Sequence, residues 1–378
     1  MDRPLKIALV SPYDHAFPGG VAVHINKLAG QFEERGHYVK VIAPCSDPER
    51  VDQDNFIPMG RPVPVPSGGS VARISFSVWL RPRLKSLLRR ERFHVVHLHE
   101  PFAGFVTLNV LGLSDSINIG TFHTYRGHRF YRLGGTRIFS RYFRRLHGRI
   151  AVSYPAYNFI NRAFPAHYEI IPNGIQVEDF EGAEPFPHLM DGRINLLFVG
   201  RLEKRKGLRY LLCAYSRLKW DWPDLRLLVV GPGTPDHDSY RVIGERGLTD
   251  VVFTGPVSEE DKARYFKSAH IFCSPAVGRE SFGIVLLEAM AAGVPVVASD
   301  IEGYASVVTH RREALLVPPK DDAALAEAIL SLLRDPALGR RLAQEGRRTV
   351  QEYRWDRIAD RVMDYYRTFL DARAVVSR

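Results

Sequence analysis

Gly278-Arg279-Glu280-Ser281-Phe282-Gly283-Ile284-Val285-Leu286-Leu287-Glu288 holds two carboxylates with seven residues between them. A small turn, Ser281-Phe282-Gly283, follows the first carboxylate, and the apolar run Ile284, Val285, Leu286, Leu287, Ala289, Met290 follows the turn. The spacing predicts Glu280 in a loop before a helix and Glu288 inside that helix, about two turns on. Backbone N–H groups at such a helix start have no partner within the helix, so they suit an anion. Residues 271–274 read as a short buried strand just upstream. A strand, a loop and a helix in that order are the unit of a doubly wound α/β sheet, whose ligands sit at the carboxyl ends of its strands.

The same pattern repeats outward. In the second half, residues 195–199, 225–230, 251–254 and 295–298 read as further strands, and 207–218 as a helix. In the first half, 5–11 is an apolar run with β-branched members, as expected of a buried parallel strand. A helical pattern over 21–35 ends at Gly36, and strands are expected at 38–43, 95–99, 117–122 and 149–153. The expected architecture is two doubly wound Rossmann-like domains facing a central cleft. The first covers residues 1–178 and the second 179–354, with a linker over 178–192, and a last helix from about 355 crosses back to the first domain.

Length and composition fit this plan. The chain has 378 residues, 45% hydrophobic and 25% charged, enough for two full cores. No run of about 18 apolar residues marks a membrane-spanning helix. The start of the chain enters a strand without a basic-then-apolar leader, so no signal peptide is expected. Cys45, Cys213 and Cys273 are far apart and odd in number, which reads as reduced thiols of a cytosolic protein. No Cys/His group has zinc spacing, so no metal is expected.

The net charge of +10 is unevenly spread. From Thr121 to Arg149 there are eight arginines and no Asp or Glu, and from Arg81 to Arg92 five arginines and one lysine against Glu91 alone. Two basic stretches in one half favour a polyanionic partner. Over residues 77–93, Leu80, Leu84, Leu87 and Leu88 fall on one helical face and Arg81, Lys85, Arg89 and Arg92 on another. Together with Arg83 and Arg90 this reads as a basic amphipathic helix that contacts a membrane surface. The plain alternative is a surface helix that packs its leucines on the core.

Other motifs lie where strands end. Pro18-Gly19-Gly20-Val21 opens the first helix, and its glycines allow close approach of a ligand. Gly200-Arg201-Leu202-Glu203-Lys204-Arg205-Lys206-Gly207 follows a strand, and Arg201 and Lys206 could neutralise a departing diphosphate. Thr121-Phe122-His123-Thr124 ends a strand and would aim His123 into the cleft, while His97, His99 and Glu100 end the strand before it, at the edge that would line the acceptor side. Asn173-Gly174 is a turn dipeptide with an expected structural role.

Taken together, these motifs resemble the phosphatidylinositol mannosyltransferases, enzymes of glycosyltransferase family 4 with a GT-B fold. The similarity runs over nearly the whole chain and includes Pro12-Tyr13, Gly69-Ser70-Val71-Ala72-Arg73, His97-Leu98-His99-Glu100-Pro101 and Ile150-Ala151-Val152-Ser153. It implies a retaining hexosyltransferase that uses a nucleotide-sugar, with GDP-mannose first and a UDP-sugar second, and needs no divalent metal. The donor would meet Gly19, Gly20, Arg201, Lys206, Glu280, Ser281, Phe282, Gly283, Ile284 and Glu288. Glu288 would hold the ribose, and Glu280 and His123 the sugar, which puts His123, Glu280, Arg201 and Lys206 at the chemistry. The acceptor would meet Tyr13, Arg73, His123, Thr124 and Arg126. It would be a lipid such as phosphatidylinositol, or a polyol phosphate, at the inner face of a cell membrane to which the cytoplasmic protein binds peripherally.

The chain departs from the family on the acceptor side. Ala22 and Phe102 stand where the family carries polar residues, and Tyr125-Arg126-Gly127-His128 replaces an expected lysine. A soluble acceptor is the rival within the class, and a sugar-nucleotide epimerase of the same fold the rival outside it. A nucleic-acid binder would leave the second domain unexplained, so no nucleic-acid partner is expected.

Overall fold

The computed structural model describes residues 3–17, 19–51, 54–67, 70–124 and 136–376. It divides into two compact units, Met1–Gly174 with Trp355–Arg378, and Ile175–Arg354. The boundary thus falls just after Asn173-Gly174 rather than after residue 178. The expected linker over 178–192 is instead part of the second unit, where Val177–Glu181 is helical and Phe180 and Leu189 join the core.

The first unit is built on a seven-stranded sheet. In spatial order its strands are Phe56–Pro58, Tyr38–Ala43, Lys6–Val10, Val95–His99, Ile117–Phe122, Gly148–Ala151 and Glu169–Ile170. Every neighbouring pair is parallel. In the order of the chain this is 3-2-1-4-5-6-7, so the direction of winding reverses between Lys6–Val10 and Val95–His99. Loops after those strands diverge there and leave room for a ligand. Strand interiors such as Ile7, Leu9, Val95 and Ile119 are fully buried, as expected where helices cover both faces.

The terminal helix Trp355–Val376 lies against this sheet, with Trp355, Ile358, Ala359, Val362, Met363 and Tyr366 packed on Ile7, Leu9, Ile25 and Ile117. His97 ties it in place: Nδ1 is 2.6 Å from the Tyr366 hydroxyl and Nε2 is 2.6 Å from Thr121 Oγ1. His97 is therefore a buried structural residue, not the acceptor-lining group that its position at a strand end suggests. Burial, and less strongly the neighbouring His24, push its pKa down to about 3. The native state thus stays neutral at His97 where the unfolded chain takes up a proton. The stability this ring contributes is present above pH ~6.5 and is lost as pH falls toward 3, by about 1.4 kcal/mol per unit at most. His97→Gln should flatten the acid limb of a melting-temperature profile between pH 7 and 4. An unchanged slope contradicts this.

The second unit carries a six-stranded parallel sheet in the order Val251–Gly255, Leu225–Val230, Ile194–Val199, Ile271–Ser274, Val296–Ser299 and Ala314–Val317. In the order of the chain this is 3-2-1-4-5-6, so its winding reverses between the strands ending at Val199 and Ser274. Capping residues start its helices where the sequence offers them. Asp236 accepts from Ser239 N at 2.8 Å and Ser258 from Asp261 N at 3.0 Å. Two apolar clusters cover the sheet, one around Leu286, Leu287 and Met290 and the other around Leu211, Leu212 and Tyr215.

An antiparallel hairpin, Val63–Ser67 with Ser70–Ile74, stands apart from both sheets. No helix among the described residues is long and apolar enough to cross a membrane.

Candidate functional site

The carboxyl ends of the central strands of the second unit bring the expected donor residues together. The loop after Val199 forms a short 3-10 turn, Lys204–Lys206, and ends at Gly207. Gly207 has φ +74°, and a Cβ there would meet the Pro275 carbonyl oxygen at 1.9 Å, so only glycine lets the basic loop dock on the end of the neighbouring strand. Glu280 sits on the next loop, and Gly303 packs beneath it: a Cβ on Gly303 would meet the Glu280 carbonyl oxygen at 2.1 Å.

These contacts set a charge cluster. Lys206 Nζ lies 2.7 Å from Glu280 Oε1, and Arg205 NH1 donates to the same oxygen at 2.5 Å. Arg205 also donates from Nε to Glu203 Oε2 at 2.7 Å. Burial works against the Arg205 charge, but Glu280 and Glu203 outweigh it and hold its pKa above the ordinary arginine value. Sequence reasoning passed over Arg205, because the middle residue of a basic triplet has nothing to distinguish it. Arg201 is the more exposed cation and lies 3.9 Å from Glu203.

The helix Ile284–Ala292 begins at Gly283 with no side-chain cap, so its first N–H groups keep their positive potential for a ligand. Ser281 is half-buried, Phe282 is buried and Ile284 is exposed. Glu288 is buried on the helix and paired with Lys262 at 2.8 Å, which in turn reaches Glu259 at 2.6 Å. Burial raises the Glu288 pKa and Lys262 partly offsets that. Its Oε2 has no hydrogen-bond partner among the described residues, which leaves one acceptor open for a hydroxyl pair. Lys262 is a further residue the sequence reading missed.

In the first unit, His123 and Thr124 follow the strand Ile117–Phe122. Glu100 fixes them. Its Oε1 accepts from His123 N at 2.7 Å, Thr124 N at 2.6 Å and Thr124 Oγ1 at 2.7 Å. Glu100 does this from φ +49°, a conformation that costs a non-glycine residue about 1 kcal/mol or more. Burial raises its pKa and the three donors oppose that. Glu100 is thus a positioning residue turned into the protein rather than a lining group.

Around His123 the fold gathers two further histidines that the sequence reading did not group with it. His24, from the helix Gly20–Glu34, and His99 come together with it, and one ring nitrogen of each lies within 4.8 Å of the others. Burial lowers the pKa of all three, that of His24 to about 4, and at His99 and His123 the neighbouring imidazoles add to it. Residues 24, 99 and 123 are too far apart in the chain for their spacing to signal this.

Tyr13 and Arg73 do share one neighbourhood, because Tyr13 bridges to Ile74 and Asp14 N donates to Arg73 O at 2.9 Å. The Arg73 guanidinium lies 3.8 Å above the Phe17 ring. Gly19 caps the first helix, and among the described residues nothing stands within 4 Å of a Cβ on Gly19 or Gly20. Pro18, Gly69 and Arg126 lie outside the described residues. Phe102 is buried and stacks on Phe139 at 5.2 Å beside Phe164 and Phe122, so its departure from the family pattern belongs to the core.

The basic helix Arg81–Glu91 follows the plain alternative on its apolar side. Leu84 and Leu87 are buried in the core together with Leu80. Arg81, Arg83, Lys85, Arg89, Arg90 and Arg92 are all exposed. The helix therefore has no leucine face left for lipid. What is exposed beside its start is Trp79, at 86%, and Phe76, at 47%.

Two family models match the chain, Glycosyltransferase Family 4 over residues 18–179 and Glycosyl transferases group 1 over 183–349. A phosphatidyl-myo-inositol mannosyltransferase of Mycobacterium tuberculosis is 36% identical over 98% of this chain and 99% of its own. One from Propionibacterium freudenreichii is 34% identical over 96% and 94%. Among solved structures, a sucrose-phosphate synthase from Thermosynechococcus elongatus superposes with a TM-score of 0.74 at 23% identity, over 97% of this chain and all of that one. The chain belongs to glycosyltransferase family 4 and has the GT-B fold.

Proposed function

We propose that this glycosyltransferase moves a mannosyl group from GDP-mannose to a hydroxyl of a phosphatidylinositol lipid, with retention at the anomeric carbon. The observation that carries the donor half is the pairing of Glu280 with Lys206 and Arg205 beside an uncapped helix start and the buried Glu288. A sugar nucleotide carries a ribose diol, a diphosphate and a hexose, and this constellation has a group for each. Glu288 accepts from the ribose hydroxyls. Lys206, Arg201 and the N–H groups of the helix start stabilise the diphosphate as charge builds on it. Glu280 accepts from sugar hydroxyls.

In the step itself, the bond from C1 to the diphosphate oxygen breaks. The acceptor oxygen bonds to C1 on the same face, and its proton passes to the leaving diphosphate. Charge neutralisation by Lys206 and Arg201 makes a divalent ion unnecessary in this scheme. Within the first unit, Gly19 and Gly20 leave open space, among the described residues, at a helix start for the donor. His123, held through Glu100, is assigned to the transferred sugar, and Tyr13, Arg73 and Thr124 to the acceptor.

The lipid acceptor rests on the relatives, whose names give phosphatidyl-myo-inositol as their substrate. The exposed cations Arg81, Arg83, Lys85, Arg89, Arg90 and Arg92 beside Trp79 support attachment to an anionic membrane surface, which this reading places on the cytoplasmic side. With the leucines buried, binding combines charge attraction with insertion of one aromatic ring. Sedimentation with phosphatidylinositol-containing vesicles should therefore fall steeply between 50 and 500 mM salt, on the order of tenfold or more. Trp79→Ala should weaken it at every salt concentration, and neutralising Arg81, Lys85 and Arg89 together should remove the salt dependence. Binding that ignores salt and all of these changes rejects the membrane surface and favours a soluble polyol phosphate.

A further inference from the structure

Three imidazoles meet in the first unit. His99 Nδ1 and His123 Nε2 are 3.0 Å apart, and His24 meets both rings edge-on at centroid distances of 5.2 and 5.0 Å. One ring nitrogen of each lies within 4.8 Å of the other two. His24 Nδ1 and His99 Nε2 are buried and have no hydrogen-bond partner. The cluster thus holds more imidazole nitrogens than the surrounding described groups can satisfy, which is rare for buried polar atoms and calls for a reason.

We propose that His24, His99 and His123 form a tris-imidazole site for a first-row transition-metal ion, with Zn²⁺ and Co²⁺ as its probes. Three imidazoles without a carboxylate select ions of this class over Mg²⁺ or Ca²⁺, which prefer oxygen. Around a tetrahedral ion with metal–nitrogen bonds of about 2.0–2.1 Å, ligand nitrogens stand roughly 3.3 Å apart. The three ring nitrogens that lie within 4.8 Å of one another reach that spacing by closing no more than about 1.5 Å. One outer contact is in place as well: Glu100 holds the backbone of His123. The fourth coordination position stays with water. Occupancy also takes the ring that the proposed function assigns to the sugar, so the ion inhibits transfer. That consequence rests on the functional reading, while the site itself does not.

The test uses the full untagged chain, stripped with a chelator and dialysed. Titration with Co²⁺ should give the visible absorption of a tetrahedral site, saturating at one equivalent. Zn²⁺ should bleach that absorption and raise the melting temperature. His24→Phe, which keeps an aromatic ring against Trp355, and His123→Gln should each weaken Co²⁺ binding by tenfold or more. His188→Ala, at an exposed histidine elsewhere, should change nothing. A wild-type chain that takes up no stoichiometric Co²⁺ overturns the site whatever the variants do. Unchanged binding in both folded cluster variants overturns it equally. Stoichiometric Zn²⁺ binding that is lost in His24→Phe supports the site even if transfer continues, and then removes His123 from the reaction instead.

Discussion

Lys206→Ala and Glu280→Ala should each lower kcat/KM for sugar transfer by about a hundredfold or more, the effect of about 3 kcal/mol lost from the transition state. The two residues form one device. Lys206 Nζ is 2.7 Å from Glu280, and both side chains are only 13% exposed, so the ammonium is held in place before any substrate arrives. A cation fixed in advance pays little reorganisation when the diphosphate leaves. Glu280→Ala removes the sugar contact and also takes away the carboxylate that Lys206 and Arg205 share, leaving Lys206 beside an Arg205 that keeps only Glu203. It should therefore shift the position of the lysine as well as lose its own contact. Arg205→Ala keeps both main partners and should cost clearly less. Initial rates over a range of donor concentrations, on variants with wild-type circular dichroism, check this. Turnover near wild type in both Lys206→Ala and Glu280→Ala would remove the donor assignment.

The second large effect is expected at Glu100. One carboxylate oxygen accepts three hydrogen bonds, two of them from the backbone of His123 and Thr124. Glu100→Ala strips these donors of their partner in a buried place, at about 1–3 kcal/mol for each that water does not recover. The expected loss is roughly 3–5 kcal/mol, or about 10 °C in melting temperature. Glu100→Gly loses the same bonds but relieves the left-handed backbone at φ +49°, so it should melt above Glu100→Ala by a few degrees. Both should fail in transfer, because the His123 loop is released. If Glu100→Gly is no more stable than Glu100→Ala, the strain at this residue is not real. If both keep wild-type rates, Glu100 does not position His123.

The parallel sheets were legible because their signal is local: apolar runs ending in Gly or in a polar turn, separated by helices. The pieces that escaped lacked that signal. Phe56–Pro58 and Glu169–Ile170 are too short for a pattern, and Ala314–Val317 is an apolar run that does not distinguish strand from helix. The hairpin Val63–Ser67 with Ser70–Ile74 contains Pro64 and Pro66, which argue against a strand except where, as in a two-stranded sheet, each strand is an edge. In the site, Glu280, Lys206 and Glu288 were readable from their place at strand ends and on one helix. Arg205, Lys262 and His24 were not, because each acts through a neighbour that only the fold supplies. Glu100 escaped for a different reason: nothing in a glutamate announces a left-handed backbone. The basic helix was read correctly for its exposed cations and too generously for its leucines, since one amphipathic pattern serves a core or a membrane equally well.

The most direct test of the account is a transfer assay in which the chain is incubated with vesicles containing phosphatidylinositol and with GDP-mannose or UDP-glucose. A chelator is present, and the lipid product is identified by mass and by the configuration at its anomeric carbon. The account predicts a phosphatidylinositol carrying one hexose from GDP-mannose, with the anomeric configuration of the donor and at an undiminished rate in the chelator. A product from UDP-glucose alone, an inverted linkage, or conversion of the sugar nucleotide with no glycosylated lipid would contradict it.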